Sequence, residues 1–292
     1  MKLMRFGVAG AERPGVIGAD GIPRDLSALV PDIAPSTMSS LLDRLSGADL
    51  AELPVILGEP RLGSPVARPG KIVAVGLNYR DHCEECGYPI PSEPILFSKA
   101  VTSLNGPNDP VVLPKGCTKA DWEVEIAIVI GRRARYVAVE EARHHIAGLA
   151  VINDVTERAF QLEREGQWFK GKGCDTFAPL GPYVVTLDEI PDLADMRLWL
   201  KVNRHKMQDS STRHMIFGIE HLVSYISQFM TLEPCDVIAT GTPPGVGLGM
   251  SPQVWLKPGD VMELGVEGLG AQRQQVLAYE EERPPLHAAV PA

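Results

Sequence analysis

The sequence predicts a β-rich α+β fold, and three observations carry that expectation. Short apolar runs rich in branched residues recur after Lys71, the composition of interior strands. Helices are few; the clearest is residues 219–230, where Leu222, Val223, Ile226, Phe229 and Met230 recur at helical spacing. The strands do not alternate regularly with helices, which argues against a doubly wound nucleotide-binding sheet.

Taken in order, residues 2–6 read as a strand and residues 15–22 as a hairpin turning at Asp20-Gly21. Residues 39–50 have the spacing of a short amphipathic helix, with Leu41, Leu42 and Leu45 on one side. A Pro- and Gly-punctuated stretch from Gly58 to Gly70 then marks a boundary. Residues 1–65 are therefore expected as a small N-terminal domain and residues 66–282 as the main one. In the main domain strands are expected at 72–75, 95–99, 111–113, 124–130, 149–152, 183–186, 198–202, 237–240 and 261–264. The apolar stripe of residues 219–230 suits core packing or a subunit contact. Residues 283–292, Pro-rich and weakly apolar, are expected to form a disordered tail.

Composition narrows the function. A chain of 292 residues with 45% hydrophobic content can bury a substantial core. A net charge of −9 without any basic cluster argues against nucleic-acid partners. No apolar run approaches a membrane span, and the first residues lack the apolar region of a signal peptide, so a cytoplasmic protein is expected. Five cysteines, an odd number, do not make a disulfide framework. Cys83-Glu84-Glu85-Cys86 has the C-x-x-C spacing, but Cys117, Cys174 and Cys235 are isolated, so a structural zinc site lacks its second pair. Gly245-Val246-Gly247-Leu248-Gly249 follows two prolines and precedes Ser251-Pro252 rather than a helix. That context argues for a backbone-rich substrate loop over a dinucleotide site.

The acidic residues are more informative. Glu123 and Glu125 flank Val124 at the start of an apolar run, so on a strand they share a face about 7 Å apart. Two such carboxylates repel and lose hydration unless something neutralises them; a hard divalent cation does so with oxygen ligands. The alternative is a solvated strand face. Asp154, at the end of the apolar run 147–152, is either a third ligand or the N-cap of a helix over residues 156–163. Three carboxylates without a Cys/His cluster suit Mg²⁺ or Mn²⁺ better than zinc. His82 and Glu85 share a face if their segment is helical, and such a pair suits a general base acting on water, or simply an exposed polar turn. Lys170 and Lys172 lie among small and aromatic residues; either can hold an anion near a metal or remain solvated.

In combination these pieces resemble the fumarylacetoacetate hydrolase superfamily. The matching runs are Lys71-Ile72-Val73-Ala74-Val75-Gly76-Leu77-Asn78-Tyr79-Arg80-Asp81-His82, Asp121-Trp122-Glu123-Val124-Glu125, Ile152-Asn153-Asp154-Val155, Gly171-Lys172-Gly173-Cys174-Asp175-Thr176-Phe177, Met215-Ile216-Phe217 and Thr240-Gly241-Thr242-Pro243-Pro244-Gly245-Val246-Gly247. They span roughly residues 70–270 in unbroken order. The resemblance implies the family's mixed β-roll with a small N-terminal domain, usually as a homodimer. It makes Glu123, Glu125 and Asp154 the metal ligands, His82 and Glu85 the water-activating pair on a lid segment, and Lys172 the active-site lysine. Arg158, Gln161 and Thr242 fall where the family places polar substrate contacts. Two positions depart from the pattern: Ala159 stands where many members carry aspartate, and Gly173 where many carry serine.

The stretch from Glu157 to Trp168 resembles a narrower branch that hydrolyses 2,4-diketo-3-deoxy sugar acids of the L-fuconate and rhamnonate type, often labelled ureidoglycolate lyases. The implied reaction is hydrolysis of a carbon–carbon bond in a 2,4-dioxo acid, yielding pyruvate and, from those substrates, lactate. Rival uses of the same metal–enolate chemistry are oxaloacetate decarboxylation and dioxo-acid isomerisation. A non-catalytic binding protein is a further class, disfavoured because it need not keep the pair, the lysine and three ligands together.

Overall fold

Every residue of the strand Val124–Ile130 is buried, and its two faces meet different cores. Val124, Ile126, Ile128 and Ile130 join one apolar cluster, while Ala127 and Val129 join another. Period-two alternation puts Glu125, and Glu123 just before the strand, on the side of Ala127 and Val129. On the neighbouring strand Ile146–Asn153, Ala150 and Ile152 belong to that second cluster too, so the next residue on their face is Asp154. The register aligns Glu125 with Ile152 and Val124 with Asn153. Three carboxylates thus meet at one end of two paired strands.

The computed structural model describes residues 1–280; the tail expected at 283–292 lies outside the described residues. Both strands belong to an 11-stranded sheet. Its main path runs Pro23–Asp25, Arg13–Ile17, Lys2–Phe6, Ala178–Val185, Ile146–Asn153, Val124–Ile130, Val237–Ala239, Ile72–Gly76 and Ile95–Lys99. Residues 1–65, set apart by sequence, share this sheet through the pairing of Lys2–Phe6 with Ala178–Val185. A 5-stranded sheet of His205–Ser211, Arg197–Val202, Val261–Val266, Gly270–Leu277 and Val111–Val112 covers the first core. The helix Met38–Leu45 covers the second, burying Met38, Leu41 and Leu45.

Strands expected at 95–99 and 124–130 have those bounds in the structure. The strand expected at 183–186 instead spans Ala178–Val185, because Pro179, Gly181 and Pro182 hide its first half from a composition reading. Besides two-residue pairings such as Leu62–Gly63 and Leu104–Asn105, two long strands escaped altogether, His205–Ser211 and Gly270–Leu277. In the second, buried Gln272 and Gln274 replace apolar residues: Gln272 Nε2 donates to Val151 O at 2.8 Å and Gln274 accepts from Asn153 Nδ2 at 3.1 Å. Polar side chains satisfied inside a core leave no alternation to detect.

Candidate active site

The segment after Ile72–Gly76 turns sharply at Leu77, whose φ is 53°, and delivers the helix Arg80–Cys86. Asn78 anchors that turn: its amide donates to Thr240 O at 2.7 Å and to Phe217 O at 3.1 Å, and accepts from Phe217 N at 2.9 Å. Three separated motifs therefore meet at one side chain. On the helix, His82 Nδ1 lies 2.9 Å from Glu85 Oε2. His82 is buried, whereas the Glu85 side chain keeps 20% exposure. Burial pulls the imidazole's pKa down, but contacts with Cys86 and Glu85 outweigh it and raise the group to about 9.

The carboxylates form the opposite wall. One oxygen from each of Glu123, Glu125 and Asp154 lies within 4.8 Å of the others, a group that could hold a metal ion. Asp154 does not cap the helix Arg158–Leu162; Glu157 does, accepting from Phe160 N. The N-cap alternative for Asp154 is thereby removed, and its two oxygens face cations instead. Lys99 Nζ donates to Oδ1 and Lys172 Nζ to Oδ2, each at 2.6 Å. Lys172 also donates to Glu123 Oε2, and Arg158 Nη2 to Glu123 Oε1 at 2.6 Å. The other reach of Arg158 is to Asp121, whose Oδ2 accepts from its Nε at 2.8 Å.

Four buried carboxylates (Asp121, Glu123, Glu125, Asp154) therefore face three buried cations (Lys99, Arg158, Lys172). Glu125 is the one without an ion pair among the described residues; its Oε2 accepts from Gly241 N at 2.8 Å. Burial, then the charges of Asp154 and Glu123, push its carboxyl well above the usual range. Glu123 moves the other way: burial opposes ionisation, but Lys172 and then Arg158 hold it ionised. An excess buried carboxylate beside two others, all oxygen donors, fits a hard divalent cation of the Mg²⁺ or Mn²⁺ kind.

Both walls open on one cavity of ≈ 190 Å³, lined by His82, Cys86, Glu123, Glu125, Arg158, Gln161, Lys172 and Thr242 with apolar Phe97, Trp168 and Leu248. A larger cleft of ≈ 470 Å³ beside Arg143 and Arg213 contains none of the metal-ligand, acid–base or substrate-contact residues expected from sequence. Lys172 reaches the cavity from the short helix Phe169–Lys172, which packs so closely that a Cβ on Gly171 would sit 2.3 Å from Glu157 O. Gln161 accepts from Arg158 Nη1 at 3.0 Å. Thr242 Oγ1 donates to Val124 O at 2.9 Å and accepts from Gln208 Nε2 at 2.8 Å. Arg158 and Thr242, expected at the substrate, thus also hold the wall behind it.

Sequence reasoning missed Lys99 and Asp121. Lys99 ends an apolar strand with a fully buried ammonium, a signal of the same kind as Glu125. Asp121 Oδ1 accepts from Gly247 N at 2.6 Å and Oδ2 from Leu248 N at 3.1 Å. Glu85 Oε1 accepts from Gly245 N at 2.8 Å. The glycine loop therefore spends the N–H groups of Gly245, Gly247 and Leu248 on the protein's own carboxylates.

A sequence model of the family described as Fumarylacetoacetate (FAA) hydrolase C-terminal matches residues 71–277. The chain is 54% identical over 277 residues to the 2,4-didehydro-3-deoxy-L-rhamnonate hydrolase of Sphingomonas sp. (strain SKA58), covering 94% of this chain and 96% of the relative. The fumarylacetoacetate hydrolase from psychrophilic Exiguobacterium antarcticum superposes with a TM-score of 0.85 at 38% identity, covering 96% of this chain and 100% of that one. The maleylpyruvate hydrolase from Sphingobium sp. SYK-6, solved in complex with manganese (II) ion and pyruvate, gives 0.78 at 32% identity over 96% of this chain and 100% of its own. The β-rich α+β fold expected from sequence is the one these structures share.

Proposed function

This chain belongs to the fumarylacetoacetate hydrolase family, and from that premise we propose that it hydrolyses a carbon–carbon bond in 2,4-dioxo acids of the diketo-deoxy sugar-acid kind. The observation that carries the reading is one cavity lined by both His82 and the carboxylates Glu123 and Glu125. Glu123, Glu125 and Asp154 would hold Mg²⁺ or Mn²⁺. When bound, such an ion supplies Lewis acidity toward the carboxylate and adjacent keto oxygen of the substrate.

The remaining steps belong to the side chains. Glu85 accepts the Nδ1 proton of His82, which leaves the Nε2 lone pair to take a proton from water. The water oxygen bonds to the distal carbonyl carbon, C4. Cleavage of C3–C4 returns its electron pair to the pyruvate half as an enolate, which takes a proton at C3. Lys172, once relieved of neutralising Glu123 and Asp154, is positioned to stabilise the enolate oxygen. Arg158, Gln161 and Thr242 are the polar groups for the acyl end. Phe97 and Trp168, in edge contact at 5.3 Å between centroids, limit water at the cavity wall.

From a diketo-deoxy-rhamnonate the products are pyruvate and lactate, a step of sugar-acid catabolism. Decarboxylation or isomerisation needs no water, so the His82–Glu85 pair favours hydrolysis over both. A cytoplasmic homodimer completes the proposal; no helix among the described residues is long and apolar enough to cross a membrane. The test is incubation of metal-loaded protein with hydroxylated and alkyl acylpyruvates and with oxaloacetate. Pyruvate plus the matching acid supports the reading, and CO₂ release from oxaloacetate alone removes it. Analytical ultracentrifugation tests the dimer.

A further inference from the structure

The helix Arg80–Cys86 carries a donor that the proposed chemistry leaves unused. His82, Glu85 and Cys86 stand at i, i+3 and i+4, so one helical face presents an imidazole, a carboxylate and a thiol. One ligand atom from each lies within 4.8 Å of the others. His82 Nδ1 is 2.9 Å from Glu85 Oε2 and 3.8 Å from Cys86 Sγ. Metal bonds of about 2.0–2.3 Å in tetrahedral array space such donors roughly 3.3–3.6 Å apart. Cys86 Sγ also lies 4.0 Å from Nε2, beside the ring, so a turn of the Cys86 side chain toward Nδ1 completes the set. Cys83 does not join it: this buried thiol is directed to Leu77 O at 3.5 Å. Nitrogen and sulfur donors here, against oxygen donors at Glu123, Glu125 and Asp154, select different cations.

We propose that His82, Glu85 and Cys86 form an inhibitory site for a borderline-soft divalent cation, Zn²⁺ above all, with solvent completing the coordination. The cation takes the Nδ1 position: the Nδ1 proton leaves to solvent from the imidazolium form or passes to Nε2 from the neutral form, and the Cys86 thiol proton leaves to solvent. An imidazole metallated at Nδ1 keeps its single N–H at Nε2. The lone pair that would take a proton from water is then gone. The inhibition rests on the reading of His82 as base; the binding does not.

Full-length protein loaded with Mg²⁺ and titrated with Co²⁺ provides the test. A thiolate-to-cobalt charge-transfer band, which carboxylate ligands do not produce, is expected to appear and to be displaced by Zn²⁺. It is expected to vanish in Cys86→Ser and persist in Cys83→Ser. In wild-type protein, independent of any variant's folding, Zn²⁺ is expected to slow iodoacetamide labelling of Cys86 roughly tenfold or more, read by mass spectrometry. With an acylpyruvate substrate, and relative to each protein's own zinc-free rate, half-inhibition of Cys86→Ser should need roughly tenfold more Zn²⁺. A missing band, a band that survives Cys86→Ser, or unprotected Cys86 overturns the site. Band and protection without inhibition overturn the inhibitory role, and assign the failure to His82 as base rather than to the cation site.

Discussion

At the scale of residues, the proposed division of labour separates the base from the metal ligands. His82→Ala is expected to lower kcat on an acylpyruvate by about 10²–10⁴ while Mn²⁺ affinity, measured by calorimetric titration, stays near wild type. Near-normal turnover would remove His82 from the mechanism. The pH profile carries a sign. The imidazole is held at about 9, above its ordinary 6.5, so the interactions that raise it contribute in full below about 6.5 and are lost as pH rises through about 9. The basic form needed for catalysis grows over that same range, so kcat/KM should rise with pH toward 9. Glu85→Gln removes one of the raising contacts and should move the rising limb to lower pH with a smaller maximum. Lys99→Met leaves a buried Asp154 oxygen without its cation and should cost about 3–5 kcal/mol, read as a urea midpoint. A change below about 1 kcal/mol would mean the pair is offset by its own desolvation.

Elements show what a sequence can reveal and what it hides. Glu123 and Glu125 were legible because charge interrupts an apolar run, and Asp154 because it ends one. The His82–Glu85 contact was legible because helical spacing is local. Lys99 and Asp121 act across the fold: Lys99 bonds a residue 55 positions away, and Asp121 bonds Gly247 at a separation of 126. A charge at the end of an apolar strand marks Lys99 as it marks Glu125, but no local pattern encodes which distant residue it meets. The strand Gly270–Leu277 was hidden by glutamines whose partners are other strands' backbone and side-chain amides. Close packing of the helices Arg158–Leu162 and Phe169–Lys172 makes its own prediction. Gly171→Ala forces a Cβ toward Glu157 O and should cost about 1–3 kcal/mol, with Lys172 displaced. Thermal denaturation beside kcat for the same variant checks both effects.

For the whole molecule, pairing of Lys2–Phe6 with Ala178–Val185 ties the N-terminal strands to the sheet that carries the carboxylates. All four tryptophans lie beyond residue 120, yet they should report damage near the N-terminus. Leu41→Ala, in the helix over the second core, is expected to cost about 2–5 kcal/mol and to shift the tryptophan-fluorescence midpoint in one transition. An unmoved midpoint would show that residues 1–65 unfold separately. Substrate choice also belongs to this scale, because strands and helices from across the chain build the pocket. Polar groups left unpaired by an alkyl acyl end cost about 1–3 kcal/mol each, so a hydroxylated substrate should lead a matched alkyl one by roughly tenfold or more in kcat/KM. Equal values would set aside the sugar-acid reading.

The two oxygens of Glu85 have a consequence for timing. One faces His82 Nδ1 and the other accepts from Gly245 N, so a single side chain senses both the base and the loop. A loop that swings away takes its N–H with it, and the freed carboxylate can turn to solvent and release the imidazole. Water activation is then conditional on the loop being seated. The proposed base thus depends on a backbone N–H 160 positions away in the chain, and a substitution that shifts the loop is felt at the imidazole.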